Sequence, residues 1–305
     1  MSGVSLSTMW MQHRFDHVRS FAHEALRLGF DAIELSHIVT PEMVEGLRPG
    51  EVVISSLHYP APSVRHRNGF LGDRMLASLD EDERLWAVDQ GCRTIDFAAA
   101  FGPRVVCIHL GRVEMDVHSS WALEQRFLAG QARSPAYAAL LEAIVAERKI
   151  RREPHIDAVH RSLRALAERA ADAGIQLGLE NRRHPFEIPT PDELAVLLAD
   201  AHPDVVGLWY DTGHAHVLAN LGFGPEERWM EDFAPRTVGV HYHDAIGTRD
   251  HLLPGLGQVD FAPVAARLPT SAVEVCEFDW YYGAAEVQMG REHLRSLGCF
   301  TSSFD

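Results

Sequence analysis

The chain has 305 residues, a length that fits one large α/β barrel as readily as two average domains. Hydrophobic residues make up 46% of it and charged residues 23%, as in packed globular proteins, which argues against disordered, collagen-like and coiled-coil structures. The formal net charge of −15 disfavours a broad nucleic-acid-binding surface, because nucleic acids are polyanions, and we expect no nucleic-acid partner.

Lysine and cysteine usage narrows the chemistry and the compartment. Lys149 is the only lysine and lies in a run of charged residues, which argues against a Schiff-base mechanism. Four cysteines show no CxxC spacing, and Cys107 and Cys276 fall in apolar runs, so buried free thiols are expected. The sequence has neither a signal-peptide pattern nor a run of roughly 20 apolar residues. We therefore expect a cytoplasmic protein that does not bind membranes.

Short apolar runs recur along the chain, with helical patterns between most of them. The predicted strands span residues 4–6, 32–35, 52–57, 105–110, 175–179, 205–210, 237–240 and 272–276. Continuously apolar strands are typical of parallel sheets, which are covered on both faces. The predicted helices span residues 15–28, 81–101, 156–173, a segment that begins at Thr190-Pro191, and 291–297.

Eight strands that alternate with helices predict an α/β fold of the (β/α)8 barrel type, with an open doubly wound sheet as the alternative. Because no Pro/Gly/Ser-rich linker divides the sequence, we expect one domain over residues 1–305. Two connections are long: residues 59–80 after the third strand, and residues 111–155 after the fourth, partly helical at 119–128 and 135–148. Both follow the carboxyl end of a strand, where barrel enzymes carry their active sites, so both are candidate lids.

Six consecutive predicted strands end in an acidic residue or a histidine, namely His58, His109, Glu180, Asp211, His241 and Glu277. The last four follow one another at intervals of 31, 30 and 36 residues, each the length of one β/α unit. A barrel would bring these side chains together, and buried charges of this kind need a counter-ion. We therefore predict a divalent metal ion held by Glu180, Asp211, His241 and Glu277. This oxygen-rich set suits Mn²⁺, Mg²⁺ or Co²⁺, and Zn²⁺ remains open.

Further histidines extend the pattern. His58 and His109 are candidates for a second ion that shares Glu180. A third cluster is open to His214, His251 and Asp250. For His214 we favour the alternative role of a hydrogen bond to substrate.

These residues resemble the xylose-isomerase-like barrel superfamily, which contains sugar isomerases and epimerases and also the AP endonuclease family 2 enzymes. The resemblance covers nearly the whole chain and is specific for the superfamily rather than for one reaction. The similar segments are Gly29-Phe30-Asp31-Ala32-Ile33-Glu34-Leu35, Leu179-Glu180-Asn181, Tyr210-Asp211-Thr212-Gly213-His214-Ala215, His241-Tyr242-His243-Asp244, the run from His251 to Asp260, and Glu277.

The resemblance implies two different metal arrangements. For the ketose epimerases it implies one ion on the Glu, Asp, His, Glu set, with Glu180 and Glu277 exchanging protons with substrate, His214 as the catalytic histidine and Arg249 as the nearest match to a substrate-binding arginine. For the endonuclease IV group it implies three zinc ions, and the remaining aspartate of that group has no counterpart, since Asp250 lies one position beyond. The residues that resemble the zinc ligands are His58, His109, Glu180, Asp211, His214, His241, His251 and Glu277.

We predict a divalent-metal-dependent sugar or keto-sugar isomerase or epimerase that works through an enediolate, with Glu180 and Glu277 as acid and base and His214 as a third catalytic residue. The alternatives are a related lyase or dehydratase acting on a keto-sugar or cyclitol and, less favoured, an endonuclease IV-like phosphodiesterase. The expected partner is a small sugar-like molecule, and a homo-oligomer is left open. The candidate substrate-binding residues are Glu34, Arg182, Arg249 and Trp280.

Overall fold

The computed structural model describes residues 3–300 and contains a closed barrel of eight parallel strands. The strands are β1 (Val4–Ser7), β2 (Ala32–Leu35), β3 (Ile54–His58), β4 (Val105–Ile108), β5 (Gln176–Glu180), β6 (Val206–Asp211), β7 (Thr237–Tyr242) and β8 (Val273–Cys276). Each strand pairs with its sequence neighbours, and β1 pairs with β8 to close the barrel. The predicted single-domain (β/α)8 barrel is confirmed, and each predicted strand boundary lies within two residues of the observed one.

The helices cover the outside of the barrel. They are α1 (Val18–Arg27), α2 (Glu81–Phe101), α3 (Val117–Leu128), α4 (Pro135–Ala173), α5 (Pro191–Ala199), α6 (Thr212–Leu221), α7 (Glu227–Phe233), α8 (Ala262–Arg267) and α9 (Ala284–Ser296). Local sequence explains their ends, as at α5, where Thr190 and Glu193 form a capping box. No helix within residues 3–300 is long and apolar enough to cross a membrane.

Helix α4 corrects one prediction, because residues 135–148 and 156–173 belong to a single helix of 39 residues that continues through Pro154. A proline inside a helix costs about 3 kcal/mol, since it removes a hydrogen bond and crowds the preceding turn. Here Ile144 and Arg148 are buried before the proline, and His155 and Ala158 are buried after it. Packing on both sides therefore holds the helix together.

The sequence reading also missed an antiparallel hairpin after β7, formed by Asp244–Ile246 and Arg249–Leu252. The carboxylate of Asp244 accepts hydrogen bonds from the backbone N–H groups of Gly255, Gly257 and Val259, at 2.7–3.0 Å. These bonds fold the segment after the hairpin back against it. The hairpin thereby brings residues 250 and 251 over the carboxyl end of the barrel.

The barrel interior supports the strand ends from below. Trp209 is fully buried inside the barrel, where Gly239 leaves the space for its ring: a Cβ atom at residue 239 would lie 2.3 Å from a ring atom. The ring centroid of Trp209 lies 4.9 Å from that of His241. The close-packed interior therefore positions the side chains above it.

Arg148 ties the long helix α4 to the segment between β5 and α5. Its guanidinium donates to the carbonyl oxygens of Pro185 and Glu187, at 2.7 Å each, and forms an ion pair with Glu193. Both charged side chains are less than a tenth exposed. The contact fixes the loop that follows Glu180 at the carboxyl end of β5.

Replacing Arg148 with methionine is expected to lower the free energy of unfolding by about 3 kcal/mol, because it leaves the buried Glu193 carboxylate without its charged partner and two carbonyl groups without their side-chain donor. Urea unfolding followed by circular dichroism measures the change. The matched control is Lys149→Met at the neighbouring exposed position, where a change within about 0.5 kcal/mol is expected. Equal stability of the two variants would show that the Arg148 contact does not hold the loop.

Candidate metal centre

The barrel brings four predicted ligands together at its carboxyl end. Glu180 and Asp211 are the last residues of β5 and β6, His241 lies one residue before the end of β7, and Glu277 follows β8. One ligand atom from each of the four lies within 4.8 Å of the others. All four residues are at most 4% exposed. The chain therefore contains a compact buried group of three carboxylates and one imidazole.

The orientation of His241 suits a metal ligand. Its Nε2 lies 3.0 Å from Glu34, while its Nδ1 faces Glu180 at 3.4 Å and Glu277 at 3.3 Å. Burial disfavours a charged imidazole, but Glu277 and Glu34 raise the pKa of His241 well above its ordinary value. Either a proton or a cation must therefore lie at Nδ1, and a bound metal ion would replace that proton.

The carboxylates themselves call for positive charge. Burial opposes ionisation of Glu180 and Glu277, yet their neighbours hold the pKa of each well below its ordinary value: His109 and Arg182 for Glu180, His241 and His251 for Glu277. Ionised carboxylates packed this closely repel one another unless a cation lies between them. Oxygen ligands with one imidazole suit a divalent ion. The residues present therefore fit a metal site.

His243 supports the centre by holding Asp211. Its Nε2 lies within 3 Å of both carboxylate oxygens of Asp211, and its Nδ1 accepts a hydrogen bond from the backbone N–H of His251 at 2.9 Å. Both ring nitrogens are thus engaged, so His243 orients Asp211 instead of adding a ligand. Sequence position was the available signal: His243 lies two residues after His241, and in an extended chain such residues point to the same side.

His58 and His109 lie beside the outer oxygen of Glu180. The distances from Glu180 Oε2 to the two Nε2 atoms are 3.3 Å for His58 and 2.6 Å for His109. The other ring nitrogen of His109 lies 3.1 Å from Asp73, a buried residue from the loop after β3. Asp73 was not predicted, since a carboxylate within a long loop gives no positional signal.

His214, Asp250 and His251 form a third group above Asp211. The Nδ1 atom of His214 donates to the carbonyl of Asn181 at 3.1 Å, and its Nε2 faces Asp250 Oδ2 at 3.7 Å. Burial lowers the pKa of His214 to about 4, against the opposing effect of Asp211. The neutral form of His214 is therefore favoured near pH 7, with Nδ1 as the donor to Asn181.

The four predicted substrate contacts are placed differently from one another. Glu34 is fully buried and engaged by Ser56 and His241, so its position is that of a residue that orients His241. Arg182 lies among the metal-centre residues. Arg249 and Trp280 lie at the surface, where Arg249 donates to the Tyr281 hydroxyl at 2.8 Å.

A cleft of about 810 Å³ lies beside the centre, between the loops that follow β1, β2 and β3. Its lining includes His37, whose ring centroid lies 5.2 Å from that of His58 and so connects the cleft with the centre. It also includes His13, which has a φ of 61° and lies 4.8 Å from the Trp280 ring. Left-handed backbone at a residue other than glycine is uncommon and recurs at functional sites.

Comparison with known proteins agrees with this geometry. The family model described as xylose isomerase-like TIM barrel matches residues 22–297. An uncharacterised protein of Methanocaldococcus jannaschii is 32% identical over 111 residues, which cover 35% of this chain and 37% of that protein. The matched segment therefore spans little more than a third of this curated relative.

Solved structures resemble the chain over nearly its full length. A D-tagatose 3-epimerase-like protein is 19% identical with a TM-score of 0.66, over 97% of each chain. The D-psicose 3-epimerase of Clostridium cellulolyticum is 14% identical with a TM-score of 0.67, over 98% of this chain and 99% of that one. The IOLI protein with a bound zinc atom is 12% identical with a TM-score of 0.66, over 98% of each. At these identities the similarity shows the fold.

Replacing Glu34 with glutamine is expected to weaken divalent-ion binding by about 10- to 100-fold, because His241 loses the carboxylate that orients its ring. Calorimetric titration with Mn²⁺ and Zn²⁺ measures the affinity. Glu274→Gln is the matched control, since Glu274 is a partly buried glutamate on β8 that accepts a hydrogen bond from Tyr242 and has no contact with His241. An unchanged affinity in Glu34→Gln would contradict the orienting role.

Proposed function

The chain belongs to the xylose isomerase-like TIM barrel family, and we propose that it is a divalent-metal-dependent isomerase or epimerase of sugars or keto-sugars. The observation that carries the proposal is the buried group of Glu180, Asp211, His241 and Glu277. Two of its members are glutamates from strands well separated around the barrel, and nearby positive charge holds the pKa of each well below its ordinary value despite burial. The names of the similar epimerase structures support the same reaction class.

The ligands would be Glu180, Asp211, His241 and Glu277, and the ion would be Mn²⁺, Co²⁺, Mg²⁺ or Zn²⁺. When bound, such an ion would polarise a substrate carbonyl and stabilise the negative charge that develops on its oxygen.

The two glutamates would move the proton. One carboxylate takes a proton from the carbon next to the carbonyl, and the other, once protonated, returns a proton from the opposite side. Return to the same carbon inverts its configuration, whereas return to the neighbouring carbon moves the carbonyl. His214, neutral and with its Nδ1–H donated to Asn181, would use Nε2 to accept a hydrogen bond from a substrate hydroxyl during this exchange.

The substrate would lie in the cleft that reaches the centre at His37. A sugar-like molecule suits it, because the lining combines polar groups with apolar side chains such as Phe15, Ile38 and Phe70. Trp280, which is 42% exposed beside His13, offers a face for stacking on a sugar ring at the edge of this cleft. The four free cysteines agree with the expected reducing cytoplasm, and a homo-oligomer stays open.

Metal-loaded protein is expected to introduce solvent deuterium next to the carbonyl of a reactive ketose or keto-sugar in D₂O. Nuclear magnetic resonance over a panel of such sugars measures the exchange. Loss of water from the substrate without exchange would indicate the lyase alternative. A panel that shows neither, with each of Mn²⁺, Co²⁺, Mg²⁺ and Zn²⁺, would contradict the proposed function.

Glu180→Gln and Glu277→Gln are each expected to lower kcat by at least about 100-fold, because an amide neither accepts nor returns the proton. Steady-state kinetics at saturating metal ion, with the bound metal measured for every sample, separates this effect from loss of the ion. The control is Glu168→Gln on the exposed face of α4, which is expected to retain full activity. Full activity in either active-site variant would show that its glutamate is not the acid or base.

A further inference from the structure

We infer that Arg182 is a built-in cation that takes the place of a second metal ion beside Glu180. The inference rests on the proposed function, since it concerns the same centre. It means that His58 and His109 do not ligate metal in this chain while Arg182 is present. The chemistry of the centre is then that of a carbonyl-activating site with one ion at Glu180.

The guanidinium of Arg182 contacts two of the three residues that a second ion would need, His109 and Glu180. The Nη1 atom is 2.5 Å from His109 Nε2 and 3.3 Å from Glu180 Oε2. The same Oε2 atom lies 3.3 Å from His58 Nε2 and 2.6 Å from His109 Nε2. A metal ion held by these three residues would need all three donor atoms at about 2.0–2.2 Å. Arg182 and such an ion therefore compete for the donor atoms of His109 and Glu180.

Charge favours the arginine in this position. Arg182 is only 15% exposed and lies between two carboxylates, with Glu187 3.4 Å from its far side. A guanidinium stays protonated at any pH at which a protein is folded, so the positive charge of Arg182 is permanent. If an ion displaced Arg182, the partly buried Glu187 would lose this partner. If an ion bound beside Arg182, two positive charges would lie close together, which is unfavourable in a buried site.

The position is also held in place on the histidine side. Asp73 lies 3.1 Å from His109 Nδ1, which directs the opposite ring nitrogen toward Arg182 and Glu180. His109 after β4 and Glu187 after β5 contact the guanidinium, and Asp73 after β3 holds His109. The protein therefore holds these partners in fixed positions, and Arg182 supplies the positive charge that their carboxylates need.

The number of ions at Glu180 bears on which reaction the centre can catalyse. Enzymes that hydrolyse phosphodiesters with paired metal ions use both ions to stabilise the attacking and the leaving oxygen. With Arg182 beside Glu180, the pair of ions that would share this carboxylate does not form. The centre therefore favours proton transfer next to a carbonyl over phosphodiester cleavage, the less favoured alternative from the sequence.

Metal content distinguishes the two arrangements without an activity assay. Wild type, His58→Ala, Arg182→Met and the double variant are saturated with Zn²⁺ or Mn²⁺, passed through a desalting column and measured by plasma mass spectrometry. We expect His58→Ala to hold as much metal as wild type. We expect Arg182→Met to hold about one further equivalent per chain, and the double variant to lose it, because the freed position needs His58. Arg164→Met, on the exposed face of α4, is the control and is expected to match wild type.

Two results would overturn the inference. One is a loss of about one equivalent in His58→Ala, which would show that a second ion binds despite Arg182. The other is an unchanged metal content in folded Arg182→Met, and the His58→Ala comparison still decides if that variant does not fold. Wild type that binds no ion at all would instead contradict the proposed function. An additional ion near His214 would not affect the test, because it would add equally to the metal content of the variants with and without His58.

Discussion

Buried negative charge at the carboxyl end of the barrel is the constraint on which the rest of the structure depends. Carboxylates that are less than a tenth exposed there include Glu34, Asp73, Glu180, Asp211, Asp244, Asp250 and Glu277. Removing an ionised carboxylate from water costs several kcal/mol even after relaxation, so each one needs positive charge or N–H donors nearby. The strand order places these carboxylates close together, so the protein must offset their buried negative charge with positive charge and N–H donors.

Histidines that contact the carboxylates provide much of the compensating charge and hydrogen bonding. His241 links Glu34 to the central carboxylates, His109 links Asp73 to Glu180, and His243 holds Asp211. Each imidazole has one nitrogen engaged by an outer partner, which determines where its other nitrogen points. The outer partners therefore orient the central donors as much as the strands do.

Chain periodicity made the barrel and the central ligands predictable, whereas contacts between loops were not. Glu180 and Asp211 end apolar runs one β/α unit apart, and that spacing alone places both at the same end of the barrel. Asp73 meets His109 because two loops fold over each other, and no spacing in the sequence encodes this contact. The division between residues 135–148 and 156–173 was wrong for a related reason: buried residues on both sides of Pro154 pack against distant parts of the chain and hold one helix together.

The two residues after Glu180-Asn181 show why the barrel does not by itself determine the chemistry. Arg182 turns toward His109 and Glu180, while Arg183 turns the other way and donates to Asp250 at 2.9 Å, with Glu124 of α3 3.6 Å away. Adjacent arginines thus contact two different groups beside the central ligands: Arg182 contacts the group of His58 and His109, and Arg183 contacts the group of His214, Asp250 and His251. Under the proposed arrangement, the loop after β5 and not the strand ends determines which donor atoms of this chain are open to a metal ion. For this chain, that places the choice between one and several ions in the segment between β5 and α5, which Arg148 anchors from the long helix α4.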